Sequence, residues 1–275
     1  MANAATRSAK MRQVMRDAYD GQGIAESYAR NNELLNAEDF IFSYFRNELD
    51  NKSILDVGVG TGRTIPCLTS LTSHYTGIDY SESMLRCCRE KYAEVKLFQC
   101  DARTMDQFCD ESFDVAIASW NVLDDSDHND RLKILGEVHR VLRPKGMFIF
   151  SSHNRDSKTR SAYRFRGFVK APNPVDLIKF NAIRVKRYVT GILHHWDRGR
   201  GETQNPKYAI INDSSHNYRL LTYYIRKEAQ IEQLESIGFS DVQLVDESGS
   251  FIRLDEQCSD GWIYYICRKE VGSRI

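Results

Sequence analysis

The stretch Ile54-Leu55-Asp56-Val57-Gly58-Val59-Gly60-Thr61-Gly62 decides the fold of this chain. It reads as a buried strand that runs into a glycine-rich turn and then into a helix. Three glycines at alternate positions allow a sharp bend, and they let a ligand approach the backbone more closely than a Cβ would permit. We therefore expect a cofactor to lie across this turn.

A carboxylate ends the next predicted strand, at Asp79 in Gly77-Ile78-Asp79. An acidic residue about 20 residues after such a turn binds the hydroxyls of a ribose in related folds. A nicotinamide dinucleotide is disfavoured, because G-x-G-x-x-G requires a glycine where Arg63 stands. A Walker A phosphate loop is excluded as well, because no Gly-Lys-Ser/Thr follows the turn.

The rest of the chain alternates between apolar runs and helical patterns. The runs lie at 53–57, 75–78, 95–100, 115–119 and 147–152. This rhythm predicts an α/β, doubly wound, Rossmann-like fold with a mostly parallel sheet, which runs at 242–246 and 262–267 would complete at seven strands. We predict an N-terminal helical segment (1–50) that closes over the cofactor, a core (51–154 and 221–275), and an inserted substrate-side cap or lid (155–220).

Composition narrows the class of protein further. The formal net charge is zero, so no global charge directs the chain to nucleic acid or to a membrane surface. No apolar run approaches the roughly 18 residues of a membrane span, and the first ten residues lack an apolar signal core. We expect a cytoplasmic protein without a membrane partner. The seven cysteines include no C-x-x-C pair, which favours reduced structural thiols and no metal site.

These motifs resemble those of the class I S-adenosylmethionine-dependent methyltransferases, particularly the bacterial small-molecule branch. The resemblance covers residues 50 to 153 well and 222 to 246 moderately. It implies S-adenosyl-L-methionine as cofactor and S-adenosyl-L-homocysteine as product. The residues that it places around the cofactor are Asp56, Gly58, Gly60, Gly62, Asp79, Tyr80, Met84, Asp101, Ala102, Ser119, Trp120 and Asn121.

The N-terminal segment contributes three further candidates. Tyr19 and Tyr28 resemble aromatic residues that close over the cofactor in related enzymes, although core packing explains both equally well. Arg30 is a candidate partner for the methionine carboxylate, with which it would form a charge-assisted pair.

Two histidines are candidates for a general base, which methyl transfer to a hydroxyl or a protonated amine requires. His153 is preferred because it directly follows the fifth predicted strand, at the sheet edge where such folds bind ligands. A loop hydrogen bond is the alternative role for His153. His128 lies in a polar segment, 124–130, where capping and solvation are the simpler explanation.

The predicted cap is basic, with about a dozen Lys and Arg against three acidic residues between Arg155 and Arg200. This excess favours a small anionic acceptor, although a solvated charged face explains it too. An RNA methyltransferase stays open as an alternative, but nucleic acid is disfavoured because the sequence contains no recognisable RNA-binding module. A non-catalytic protein that binds S-adenosylmethionine is the remaining alternative. We expect a monomer or a homodimer.

Overall fold

The structure is a computed structural model, and it describes residues 2–21, 23–157, 173–198, 201–212 and 218–272. Four helices precede the first strand in the described part of the chain, where the sequence indicated two or three. They are α1 (Ala2–Tyr19), α2 (Ile24–Tyr28), α3 (Asn36–Tyr44) and α4 (Arg46–Leu49).

A single mixed sheet forms the centre of the molecule. Its strands are β1 (Ile54–Val57), β2 (Tyr75–Asp79), β3 (Lys96–Gln99), β4 (Phe113–Ala118), β5 (Leu142–Asn154), β6 (Thr203–Gln204), β7 (Tyr208–Ile211), β8 (Thr222–Ile225), β9 (Phe239–Val245), β10 (Phe251–Ile252) and β11 (Trp262–Lys269). The main path runs β10-β9-β11-β5-β4-β1-β2-β3. Strands β3, β2, β1, β4 and β5 are parallel, whereas β11 runs antiparallel between β5 and β9.

Helices cover both faces of this sheet. The described helices that follow β1 are α5 (Ile65–Leu71), α6 (Glu82–Lys91), α7 (His128–Val141), α8 (Pro174–Arg198) and α9 (Lys227–Ile237). Neighbouring residues of β1 point to opposite faces, because side chains alternate along a strand. Ile54 joins a buried cluster with Ile41 and Leu68, whereas Leu55 joins another with Leu135. The doubly wound α/β architecture is thereby confirmed.

The sheet has more strands than the seven predicted, because eleven occur among the described residues. The additional strands are β6, β7, β8 and β10, which are two to four residues long and therefore too short to leave a periodic pattern. Strand β8 pairs with the end of β5, and β7 joins the sheet through β8. The predicted cap is described only in part, as α8, β6 and β7.

Strand β5 is also longer than predicted, and it includes His153. His153 pairs with Trp262 of β11 and with Tyr224 of β8, so it lies within the sheet and not in the loop after it. The expectation that His153 follows the fifth strand was therefore wrong. The cause is that pairing with β8 and β11 extends the strand into its polar end.

The strand order reverses between β1 and β4, since β2 and β3 lie on one side of β1 and β4 and β5 on the other. In open α/β sheets, such a switch point leaves a crevice at the carboxyl ends of the strands. No helix among the described residues is long and apolar enough to cross a membrane.

Candidate cofactor and acceptor site

A cavity of about 710 Å³ opens at this switch point. Twelve of the residues selected from the sequence line it: Asp56, Gly58, Gly60, Asp79, Tyr80, Met84, Ser119, Trp120, Asn121, Tyr19, Tyr28 and His153. They come from the N-terminal helices, from the ends of β1, β2, β4 and β5, and from the segments that follow these strands. The fold thus gathers at one site residues that are up to 134 positions apart in sequence (Tyr19 to His153).

The glycine turn uses its glycines in different ways. Gly58 has φ +73°, and a Cβ there would lie 2.5 Å from Cγ1 of Val122. Gly60 has φ +55° and borders the cavity, and a Cβ there would meet nothing within 4 Å. Gly58 therefore permits close packing of the protein, whereas Gly60 leaves open space where a ligand could approach the backbone.

Asp56 is buried at the end of β1, where its Oδ2 accepts hydrogen bonds from Thr64 Oγ1 at 2.5 Å and Tyr75 Oη at 2.7 Å. Burial raises the pKa of Asp56 above its usual range, and the two hydroxyl donors oppose this shift. These hydrogen bonds fix the carboxylate beside the glycine turn.

Asp79 contacts the same turn from the end of β2. Its Oδ2 accepts a hydrogen bond from the backbone N–H of Gly60 at 2.9 Å, and its Oδ1 accepts one from the N–H of Ser81 at 2.8 Å. Burial raises the pKa of Asp79 to about 6, against the two backbone donors that lower it. Asp79 thus lies on the cavity wall at the end of β2, and its binding of ribose hydroxyls stays a prediction.

Three buried polar atoms on the cavity wall have no hydrogen-bond partner among the described residues. They are the hydroxyl of Tyr80, the hydroxyl of Ser119 and Oδ1 of Asn121. Buried polar atoms are nearly always paired, because leaving one unpaired costs about 1–3 kcal/mol. The wall therefore fits a ligand that carries donors and acceptors, as the nucleoside part of S-adenosylmethionine does.

The residues after β4 have an unusual backbone. Trp120 has φ +56° and Asn121 has φ +59°, a conformation that costs a bulky residue such as tryptophan about 1–2 kcal/mol. Strain of this kind is concentrated at ligand sites, where surrounding structure enforces it. In this turn the backbone N–H of Asn121 donates a hydrogen bond to Ser151 Oγ at 2.7 Å.

Aromatic rings from the N-terminal helices form one wall of the cavity. Tyr19 meets Tyr80 edge to face with ring centroids 6.0 Å apart, and Tyr28 lies 6.0 Å from Trp120. The hydroxyl of Tyr19 donates to the Asp125 carboxylate, and burial raises the pKa of Tyr28 to about 12. Both tyrosines therefore remain neutral donors at physiological pH.

Arg63 also lines the cavity. From the sequence it indicated only that the third glycine of a dinucleotide-binding motif is absent. Its guanidinium makes a two-point contact with the buried Glu38 carboxylate and lies 4.8 Å from the centre of the Trp120 ring. Glu38 Oε1 also accepts a hydrogen bond from Tyr264 Oη at 2.8 Å. This network joins α3, the glycine turn and β11. The only hint in the sequence is the opposite charge of Glu38 and Arg63, which are 25 positions apart.

His153 presents its ring to the cavity from β5, and Asp124 orients it. Asp124 Oδ2 accepts a hydrogen bond from the His153 backbone N–H at 2.6 Å and lies 2.8 Å from ring Nδ1. The carboxylate favours a proton on Nδ1, which leaves Nε2 as the acceptor that a general base requires. Asn121 Nδ2 lies 3.4 Å from Nε2.

The other oxygen of Asp124 belongs to a fully buried network. Its Oδ1 accepts hydrogen bonds from Arg131 Nη1 at 2.5 Å and from Ser152 Oγ at 2.8 Å. Arg131 Nη2 also donates to Gln230 Oε1 at 2.6 Å. This network fixes the carboxylate, and sequence reasoning missed it because its members come from four separate elements.

Three residues missed from the sequence form the rim beside His153, namely Arg219, Thr222 and Trp262. Arg219 is exposed and precedes β8, and Trp262 pairs with His153 across the sheet. Since β8 was not predicted as part of the sheet, no signal in the sequence placed Arg219 at the cavity.

Five selected residues do not line the cavity, namely Gly62, Asp101, Ala102, Arg30 and His128. Burial raises the pKa of Asp101, but hydrogen bonds from Arg103 outweigh it and lower the pKa overall. Arg30 is exposed. His128 Nδ1 lies 2.8 Å from the Tyr223 hydroxyl, and its ring stacks on Tyr208 at 4.3 Å, so it packs against β7 and β8.

The fold and the cavity define a Rossmann-like α/β protein with a ligand-sized cavity at the carboxyl ends of its parallel strands. Residues 55–150 match a family model described as a methyltransferase domain. A phosphatidylethanolamine N-methyltransferase of Cereibacter sphaeroides is 39% identical over 106 residues, which are 36% of this chain and 50% of that protein. A demethylmenaquinone methyltransferase of Staphylococcus aureus is 34% identical over 139 residues, which are 46% of this chain and 56% of that protein.

A solved structure of Burkholderia thailandensis 1,6-didemethyltoxoflavin-N1-methyltransferase, with bound 1,6-didemethyltoxoflavin and S-adenosylhomocysteine, shares the fold. The TM-score is 0.57 at 14% identity, over 96% of this chain and 91% of that one. The present chain spans about half the length of the curated relatives that it matches. Residues 55–150 thus belong to a methyltransferase domain, and these comparisons support the predicted class I S-adenosylmethionine-dependent family and its cofactor.

Proposed function

We propose that this chain transfers a methyl group from S-adenosylmethionine to an oxygen or nitrogen of a small anionic molecule, with His153 as general base. The observation that carries the proposal is the pairing of His153 with Asp124 on the wall of the cavity that Gly60 and Asp79 border. A base and a cofactor cradle in one cavity are the two parts that such a transfer needs.

The cofactor side of the cavity carries hydrogen-bond donors and acceptors on its wall. Asp79 offers carboxylate oxygens for the ribose hydroxyls, and the unpaired groups of Ser119 and Asn121 offer partners for further polar atoms. When bound there, S-adenosylmethionine supplies a methyl group on a positively charged sulfur, which an acceptor lone pair can attack in line. Asp56, fixed by Thr64 and Tyr75, contributes negative charge beside that site.

The acceptor side lies at the rim around His153 and Arg219. His153 Nε2 would take the proton of the acceptor hydroxyl or ammonium group, and Asp124 would stabilise the resulting imidazolium. Arg219 carries a guanidinium on the same rim, where it would pair with an acceptor phosphate or carboxylate. The presence of Arg219 in the cavity lining supports an anionic acceptor more directly than the basic composition of segment 155–200 does.

The names of the two curated relatives indicate methylation of a phosphatidylethanolamine nitrogen and of demethylmenaquinone. Their partial coverage supports methyl transfer and leaves the acceptor open. We therefore propose the chemical class of acceptor from Arg219 and not from these names.

The test is a product assay over a panel of acceptors, in which each phosphorylated or carboxylated compound is paired with its neutral analogue. Release of S-adenosylhomocysteine is measured for the unchanged protein, for His153→Gln and for His74→Gln. His74 is exposed and does not line the cavity, so His74→Gln controls for loss of a histidine as such.

We expect turnover with anionic members of the panel, a fall of about 10²–10⁴-fold in kcat for His153→Gln, and unchanged turnover for His74→Gln. Full activity of His153→Gln would remove the base from the proposal. Turnover only with neutral members would remove the anionic acceptor.

A further inference from the structure

Helix α8 carries an exposed apolar stripe along its length. Apolar residues recur at alternating steps of three and four, so they lie on one face of the helix. The stripe consists of Val175, Ile178, Ala182, Val185, Val189, Ile192 and Trp196. Its six large side chains are between 42% and 71% exposed, although such residues are normally buried.

The stripe is a continuous surface and not a set of scattered side chains. At 3.6 residues per turn its seven positions cover roughly 100° of the helix circumference. A shallow groove between Ile178, Val185 and Val189 runs along it. The opposite face of the helix carries Arg184, Gly191 and His195, which are buried or half-buried, so the stripe points away from the side that packs.

Basic residues border the stripe. Lys179 and Lys186 are exposed and lie along one edge of the stripe. Lys179 is one turn after Val175, and Lys186 is one turn after Ala182. The helix sequence contains five Lys or Arg and two Asp, a net charge of +3 by sequence. A helix with this charge does not meet the requirements of a membrane span. An apolar face with lysines along its flank, and Trp at one end, instead fits the surface of an anionic bilayer.

A second copy of the chain fits the stripe less well. In an antiparallel pair of such helices, Lys179 and Lys186 would face the same lysines of the partner, which is repulsive. In a parallel pair they would face positions 174 and 181, which are Pro and Asn and offer no negative charge. Charge complementarity therefore favours anionic lipid over a second copy.

We propose that α8 lies on an anionic phospholipid surface, with the stripe in the interface and Lys179 and Lys186 at the headgroups. This inference goes beyond the proposed function and revises the expectation of a protein without a membrane partner.

The far end of α8 connects this surface to the cavity. His195 Nδ1 lies 2.9 Å from Asn212 Oδ1, and Asn212 Nδ2 donates to the backbone carbonyls of Tyr218 and Leu220 at 2.8 and 2.7 Å. Those two residues flank Arg219 on the rim. Docking of α8 would thus bring the acceptor side of the cavity toward the lipid surface.

The test is sedimentation of the full chain with vesicles of phosphatidylglycerol and phosphatidylcholine, and with vesicles of phosphatidylcholine alone, without cofactor or acceptor. We expect binding to the anionic vesicles that weakens with salt. Ile178→Asp should lower the partition coefficient at least ten-fold, since it places a charge in the apolar face. Lys179→Gln/Lys186→Gln should lower it about 30-fold at low salt.

Ile183→Asp is the matched control, because Ile183 is an exposed isoleucine of the same helix that lies outside the stripe. It adds the same charge to the helix outside the apolar face, so it should weaken binding to anionic vesicles clearly less than Ile178→Asp does. Analytical ultracentrifugation of each variant reports the oligomeric state. The proposal is overturned if the unchanged protein does not bind anionic vesicles. It is also overturned if the protein forms a dimer that only Ile178→Asp dissociates, because the stripe would then be a dimer interface. Neither result bears on methyl transfer, which is measured separately with acceptors in solution.

Discussion

The carboxylate of Asp124 contacts His153 twice, through the backbone N–H at 2.6 Å and ring Nδ1 at 2.8 Å, while its other oxygen contacts the buried Arg131 at 2.5 Å. One side chain thereby joins the candidate base to the core. Because Asp124 and Arg131 are both fully buried, the orientation of His153 depends on an ion pair that water does not screen.

This pairing predicts a stability cost at Asp124. Asp124→Ala leaves the Arg131 charge buried without its carboxylate, and we expect the free energy of unfolding to fall by about 3–5 kcal/mol. Asp110→Ala removes a carboxylate from the surface pair with Arg140 and should cost no more than about 1 kcal/mol. Urea denaturation of both variants measures the difference, and equal losses would contradict the role given to burial.

Asp79 predicts a pH dependence of cofactor binding. Only the ionised carboxylate accepts hydrogen bonds from both ribose hydroxyls, and the pKa of Asp79 is about 6. Affinity for S-adenosylhomocysteine should be constant above that value and fall about ten-fold for each pH unit below it. In Asp79→Asn this slope should disappear. Calorimetric titrations at values from roughly 1.5 pH units below this pKa to roughly 2 units above it measure the slope.

The same shift affects the stability of the cofactor-free protein. Because the folded pKa of about 6 lies above the usual aspartate pKa of 3.8, the folded state binds the proton more tightly. Stability should therefore decrease as the pH rises from about 4 to about 6. Asp79→Asn should lack this decrease, and a slope that survives the substitution would show that other groups cause it.

The glycine turn predicts different outcomes for two alanine substitutions. In Gly58→Ala the new Cβ would lie 2.5 Å from Val122, so packing must shift and the melting temperature should fall. In Gly60→Ala the Cβ enters open space, so the fold should tolerate it at about 1–2 kcal/mol for the left-handed backbone. Affinity for S-adenosylhomocysteine should nevertheless fall in Gly60→Ala. Thermal melts and titrations of both variants separate the effects, and the reverse order of stabilities would refute the assignment.

Much of this site follows from local sequence, because a strand, a glycine turn and a carboxylate at the end of the next strand are encoded within 26 residues (54–79). The alternation of strands and helices likewise determined the doubly wound core. The rim could not be predicted in the same way. Arg219 reaches the cavity through the pairing of β8 with β5, and Asp124 meets His153 through a turn of four residues. Such contacts depend on tertiary pairing, for which short strands and turns leave no periodic signal.

Arg219 and Arg30 give a matched pair of exposed arginines, of which only Arg219 lines the cavity. Arg219→Ala should raise KM for an anionic acceptor by about ten-fold or more, through loss of a charge-assisted pair, and leave affinity for S-adenosylhomocysteine unchanged. Arg30→Ala should change neither quantity. An effect of Arg30→Ala on cofactor affinity would restore Arg30 as the partner of the methionine carboxylate, as the sequence suggested.

The most direct test of the account is calorimetric titration of the unchanged protein and of Asp79→Ala with S-adenosylmethionine and S-adenosylhomocysteine. We expect one site per chain for the unchanged protein, and an affinity at least ten-fold lower for Asp79→Ala, since that variant would lose two charge-assisted hydrogen bonds to the ribose. An unchanged protein that binds neither compound, or an Asp79→Ala variant that binds both as tightly, would contradict the assignment of this cavity to the cofactor.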